Sequence, residues 1–300
     1  MQRQMNGQAR PLYGLIEAGG TKFALGIAQG HDRLLAIGRI PTGLPEATVR
    51  AVGEWFAQQA AVHGRVAALG IASFGPLVLD RASPDWGRLR HTTKPGWSGF
   101  DMAGVLGETL SCPVAIDTDV NGAALAEYRW GAGRDGRSLV YLTVGTGIGG
   151  GAICDGRILH GISHPEMGHM RVSRHADDQS FAGVCPAHGD CLEGLASGPA
   201  IFRRWGAPLS DLPPDHPGRA MIAFYLGQAI VNIQAMMEPS VIVLGGGVMA
   251  TAGLRERAAE QAVLLGNGYF GGDPTQIVMA PGLGEHSGLL GALALIAPDA

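Results

Sequence analysis

The stretch YGLIEAGGTKFALGIA, Tyr13 to Ala28, is two apolar runs joined by the turn Glu17-Ala18-Gly19-Gly20-Thr21-Lys22. Runs of this length bounded by glycine read as a β-hairpin. Adjacent glycines let backbone N–H groups approach a ligand closely, because no Cβ stands in the way, and phosphate is the ligand that such donors suit. Thr21 and Lys22 add a hydroxyl and a cation. About 125 residues further on, from Leu139 to Cys154, the arrangement returns as LVYLTV, then Gly145-Thr146-Gly147 and Gly149-Gly150-Gly151, then AIC. One glycine hairpin is an ordinary way to join strands, but two at a domain's spacing point to a duplicated architecture that grips the phosphates of a nucleotide from two domains. A third cluster, Gly245-Gly246-Gly247, follows the strand pattern VIVL. It leaves an open surface for an adenine or ribose, although tight packing of a helix on a strand explains the same glycines.

Working outward, helix and strand patterns alternate. An amphipathic segment from Glu46 to His63 carries Val49, Val52, Trp55, Phe56 and Val62 on one stripe, and a buried-strand run covers Val66 to Ser73. A short strand from Pro113 to Asp117 leads into a helix from Val120 to Trp130. Helices over Gly218–Glu238 and Ala252–Leu265 are interleaved with strands at Val241–Leu244 and Ile277–Ala280, and a last helix covers Ser287–Ile296. Alternation of this kind defines an α/β fold. The 300 residues suffice for two domains, a small one over 1–118 and a larger one over 119–284, with the segment 285–300 packing back onto the first.

A net charge of −4 and the lack of a basic run give nucleic acid or an anionic membrane no electrostatic footing. The apolar stretches are broken before the roughly 18 residues that a membrane span needs. The amino-terminal MQRQMNGQAR has no apolar signal core, so the expected location is the cytoplasm. Cys112, Cys154, Cys185 and Cys191 are too few and too scattered for a disulfide framework, which leaves thiols or metal ligands.

Asp117-Thr118-Asp119-Val120-Asn121 joins a strand to a helix just before the second glycine hairpin. Either aspartate could cap the helix, but a carboxylate at this junction can also accept the proton of an attacking hydroxyl, a role that falls to Asp119. His169, Cys185, His188 and Cys191 form a His-x15-Cys-x2-His-x2-Cys set with the donor types and spacing of a closed, structural zinc site. Glu166 lies three residues before the first of these ligands and Glu193 two after the last. A zinc clip would fix both carboxylates beside a pocket, where sugar hydroxyls could be received. The remaining candidates read as bland: Asp80–Asp85 as a surface turn, DLPPDHPG over Asp211–Gly218 as a rigid loop, and Met236-Met237 as core.

Taken in order, EAGGTK, ASFGP, TKPGW, DTDVNGAALAE, LTVGTGIGGG, HPEMGH, CPAHGDCLEGLASGPA and LGGGV resemble the fructokinase branch of the ROK family of bacterial sugar kinases, over about Leu12 to Gly291. The resemblance implies an actin-like, hexokinase-type pair of α/β domains with a nucleotide and sugar cleft between them, a homodimer, and transfer of the γ-phosphoryl group of Mg-ATP to a sugar. It implies Asp119 as general base, with Asn121, Glu166, His169 and Glu193 facing the sugar. Ser73, Gly75, Pro76, Thr92, Pro95, Gly96 and Trp97 form the other wall. ATP falls to Glu17, Gly19, Gly20, Thr21, Lys22, Gly145, Thr146, Gly147, Gly245, Gly246 and Gly247. Two features favour fructose over glucose: Glu17 stands where much of the wider family has Asp, and His188 where the glucokinase branch has a third Cys. Sugar-binding repressors of the family carry a DNA-binding domain before the first hairpin, and only about a dozen residues precede it here.

Overall fold

The computed structural model describes residues 10–297. Residues 1–9, which hold most of the stretch read as lacking a signal core, and residues 298–300 at the end of the last segment lie outside the described residues. The chain divides into two compact units, one running up to Gly122 and resuming from Gly288, the other spanning Ala123–Ser287.

In the first unit, β1 (Tyr13–Ala18), β2 (Lys22–Gly30) and β3 (Arg33–Pro41) form an antiparallel meander. The helix α1 (Pro45–His63) leads to β4 (Ala68–Ser73), parallel to β1, and α2 (Met102–Leu110) leads to β5 (Val114–Thr118), parallel to β4. The sheet order is β3-β2-β1-β4-β5. Pairing of Ala18 with Phe23 leaves only the Gly19–Thr21 turn outside the ladder. Ile16, Leu25 and Ile71 of the sheet share a core with Val52 and Phe56 of α1. Val62, placed on the same stripe by its spacing, is 74% exposed in the last turn of α1 and takes no part in this core.

After α3 (Asp119–Trp130), the second unit repeats the plan. Strands β6 (Ser138–Val144), β7 (Ile148–Cys154) and β8 (Arg157–Ile158) form the meander. Helices α4 (Leu192–Ala196), α5 (Gly198–Trp205) and α6 (Pro217–Met237) precede β9 (Val241–Gly245), which lies parallel to β6. Then come α7 (Leu254–Gly266), α8 (Pro274–Ile277) and β10 (Val278–Met279), parallel to β9. The order β10-β9-β6-β7-β8 matches the first sheet strand for strand and sense for sense. The last helix, α9 (Ser287–Ile296), belongs almost wholly to the first unit, where the Ala292 carbonyl rests against Gly70 of β4.

Two expectations need correction. The sequence does contain a helix long and apolar enough to cross a membrane, namely the 21-residue α6, with a mean hydropathy of 1.4 over its most apolar 18 residues. Its residues Ile222, Tyr225, Leu226, Ala229, Ile230 and Ile233 instead form the centre of the second unit's core. Met236, expected in the core, is 69% exposed at the end of α6, and only Met237 packs inward.

Candidate active site

The first glycine turn is fixed by short backbone contacts. Gly19 N donates to Lys22 O at 3.0 Å, Thr42 N to Thr21 O at 3.0 Å, and Thr42 Oγ1 to Gly19 O at 2.8 Å. Thr21 and Lys22 are exposed. Burial pushes the Glu17 carboxyl above its ordinary 4.5, against the opposing pull of Lys22 and Arg39. A positive rim thus surrounds a turn whose single acid is costly to ionise.

At the start of α3 the cap is neither aspartate. Thr118 Oγ1 accepts from Asn121 N at 3.2 Å, three residues on, as an N-cap does. Asp117 is buried, accepting from Thr118 N and from Asn121 Nδ2, both at 2.7 Å. Asp119 is half-buried and accepts from Val120 N at 2.9 Å. Asn121, expected to face a sugar, is fully buried against Asp117, with no partner for its Oδ1.

The second turn is held differently. Gly145 N donates to Gly147 O at 2.8 Å, Gly145 O accepts from Gly198 N at 2.7 Å, and Ile148 N donates to Glu193 Oε2 at 2.9 Å. Gly145 and Thr146 open onto a cavity of about 480 Å³ in the second unit, lined also by Pro199, Phe202, Leu209 and Gly247. The third glycine cluster divides between its two readings. At Gly246 (φ +92°) a Cβ would fall on the Val144 backbone, and at Gly245 on Tyr141, so both are there for packing. Only Gly247 opens onto the cavity.

The four metal-ligand candidates converge: their donor atoms all lie within 4.8 Å of one another. His169 Nδ1 is 3.5 Å from Cys191 Sγ and 3.7 Å from Cys185 Sγ, and His188 Nδ1 is 3.7 Å from Cys185 Sγ. A zinc tetrahedron with Zn–S near 2.3 Å and Zn–N near 2.05 Å has N–S edges of about 3.6 Å, so the donor set fits zinc. Burial pushes the Cys191 thiol up, which disfavours the bare thiolate there and which a bound cation reverses. The loop is stitched by reciprocal Cys185–Gly189 backbone bonds of 3.2 and 2.9 Å and flanked by Arg171 and Arg174 on Asp190. Arg174 also donates to Asp178 O, while the Asp178 carboxylate holds Arg204 through two bonds and accepts from Tyr225 Oη at 2.6 Å. Burial first, and then that bond, pushes the Tyr225 phenol up to about 12. Cys191 leads directly into α4, whose second residue is Glu193, so the metal loop and the second turn are one mechanical piece.

The remaining expected sugar contacts are scattered in environment. Glu166 is exposed, with an oxygen 3.5 Å from His164 Nδ1. Thr92 is half-buried, Pro95 and Gly96 are exposed, and Gly75 and Pro76 are half-buried. Ser73 is fully buried, its hydroxyl donating to Phe74 O at 2.9 Å. Trp97 is a core residue: only 1% exposed, its ring lies against Phe23, Phe74 and Phe100, and its N–H goes to Gly43 O. Both hold the chain in place around the candidate site.

Sequence reasoning missed three groups. One is the α5 side of the cavity, where Ser-Gly-Pro before a helix is a weak signal. Another is Arg219, buried, whose guanidinium donates to the carbonyls of Ser210, Leu212, Pro213 and Ala252 and so ties together two segments bordering the cavity. The third is Lys94, whose Nζ lies 3.3 Å from Gly20 O, 74 residues away in sequence.

Two α/β units of equal strand order, each with a glycine turn between its first two strands, define an actin-like ATPase fold of hexokinase type. The chain belongs to the ROK family, whose pattern matches residues 13–298. It is 48% identical to a fructokinase of Zymomonas mobilis over 95% of this chain and 96% of that protein. Among solved structures it resembles a ROK hexokinase from Thermus thermophilus, at 30% identity and a TM-score of 0.76 over 95% of this chain and 97% of that one. It also resembles a ROK glucokinase from Streptomyces griseus solved with glucose and AMPPNP, at 25% identity and a TM-score of 0.74 over 94% and 97%.

Proposed function

We propose that this chain is an ATP-dependent fructokinase that makes fructose 6-phosphate. The observation that carries the reading is the 48% identity to a fructokinase across nearly both whole chains, joined to a half-buried carboxylate, Asp119, at the start of α3. In this reading the fructose 6-hydroxyl attacks the γ-phosphorus of Mg-ATP. The new bond joins that oxygen to phosphorus, the bond to the β,γ-bridging oxygen breaks, and ADP leaves with its electron pair. Asp119 receives the hydroxyl proton. Alignment and charge neutralisation supply most of such an acceleration, and the two glycine turns with Thr21, Lys22 and Thr146 are suited to both. The cavity beside Thr146 and Gly247 takes the nucleoside. Zinc, when bound, supplies rigidity to the loop that precedes Glu193 and does not enter the reaction. The active species is a homodimer in the cytoplasm.

Fructose, Mg-ATP and purified protein test this together. The expected product carries phosphate on the C6 oxygen by NMR. Asp119→Asn lowers kcat by at least about a hundredfold, while calorimetry still registers fructose binding. Near wild-type turnover in that variant would remove Asp119 from the mechanism.

A further inference from the structure

Lys94 lies in the turn between Thr92 and Trp97, and its ammonium is seated on the first glycine hairpin. Nζ donates to Gly20 O at 3.3 Å and stands 5.1 Å from the centre of the Phe74 ring. A Cβ on residue 20 would fall on Nζ, so a side chain there would push the end of the lysine aside. The seat is deliberate in its backbone too: Lys94 N donates to Thr92 Oγ1 at 3.4 Å and Lys94 O accepts from Trp97 N at 3.2 Å, with the Trp97 ring locked in the core. Lys94 is half-buried, yet among the described residues no carboxylate lies within ion-pair distance of it. A lysine with no counterion ordinarily extends freely into water, whereas this one lies along the hairpin with its Nζ contact on the solvent-exposed side, where an anion can reach it.

We infer that Lys94 is a catalytic residue whose ammonium meets the phosphoryl group in transit. The inference rests on the reading that the first turn handles the phosphates of ATP. A neutral sugar offers no charge for an unpaired ammonium to neutralise. The transferring phosphoryl oxygens do, and a compact lysine cation serves as a point charge for phosphate. Bond making and breaking are those given above: Lys94 gives up no proton and forms no bond, and its charge offsets that of the phosphoryl oxygens as phosphorus passes from ADP to the sugar oxygen.

The test uses the full chain with Mg-ATP and whichever sugar the wild type turns over fastest. Lys94→Met is expected to lower kcat by about a hundredfold, with the KM for sugar changed by less than about threefold. Lys94→Met should also weaken MgADP–aluminium fluoride binding in the presence of sugar by a similar factor, while MgADP alone is held nearly as before. Gly20→Ala, which puts a methyl group in the seat, should lose activity in the same range, and the double variant should lose little more. Lys94→Arg, which keeps the charge, should recover part of the loss and serves as the test should the Met variant fail to fold. Wild-type kcat in Lys94→Met, or a loss confined to the KM for sugar, overturns the assignment. A wild-type chain that turns over no sugar overturns the kinase reading itself, whereas an active wild type indifferent to Lys94 overturns this inference alone.

Discussion

The two glycine hairpins share a topology and divide the chemistry. The first turn is charged: Lys22 and Lys94 flank it, the half-buried Glu17 precedes it, and Thr42 of the neighbouring segment fastens it. The second carries no cation: Thr146 opens onto a cavity, and the turn is fastened by the Glu193 carboxylate and by Gly198, at α4 and α5. The order of five strands is conserved between the units, so the sheets set where a turn appears. What the turn does is set by side chains that arrive from far along the chain.

Removing the metal is the strongest way to break the comparison. Because Cys191 opens the helix that bears Glu193, Cys185→Ser or exhaustive chelation should loosen the second turn and spare the first. A fall in Tm on the order of 10 °C or more is expected from the loss of several kcal/mol. Hydrogen exchange should rise over 138–158 and 185–205 while 13–41 stays protected. Equal loss of protection in both hairpins would refute the division, and freshly purified protein with well under one zinc per chain would refute the metal.

A smaller effect sharpens the other side. Glu17 has a folded-state value raised by burial, so its stabilising contribution is complete below the ordinary 4.5 and lost as pH rises through the raised value. Glu17→Gln should therefore raise Tm at pH 7, by less than the loss expected on removing the metal. The gain should shrink as pH falls towards 4.5, and activity should drop. A Tm difference independent of pH would mean that burial of the charge is not the cause.

The elements that were legible in the sequence are those whose signal is local. The hairpin turns, the helix over Pro45–His63 and the strand-helix junction at Asp119 all announce themselves by spacing within a few residues. The strand Arg33–Pro41 was not read, because it alternates weakly at the sheet edge, nor was Met102–Leu110, whose two glycines dilute a helix pattern. The site divides in the same way. His169, Cys185, His188 and Cys191 were legible because zinc demands donor types at short spacing. Lys94 on Gly20 and Arg219 on four carbonyls were not, since both contacts are made by the fold and leave no periodicity behind. Trp97 and Ser73 were picked out by resemblance to a family pattern, and a pattern does not distinguish a residue that touches substrate from one that holds the chain in place.

The central claim is sugar phosphorylation with fructose as acceptor, and a coupled ADP-release assay over fructose, mannose, glucose and N-acetylmannosamine with Mg-ATP addresses it most directly. The account expects kcat/KM for fructose to exceed that for each of the others by at least about tenfold, which corresponds to 1.4 kcal/mol of transition-state discrimination. Equal or greater kcat/KM with glucose or mannose, or sugar binding without ADP release, would contradict it.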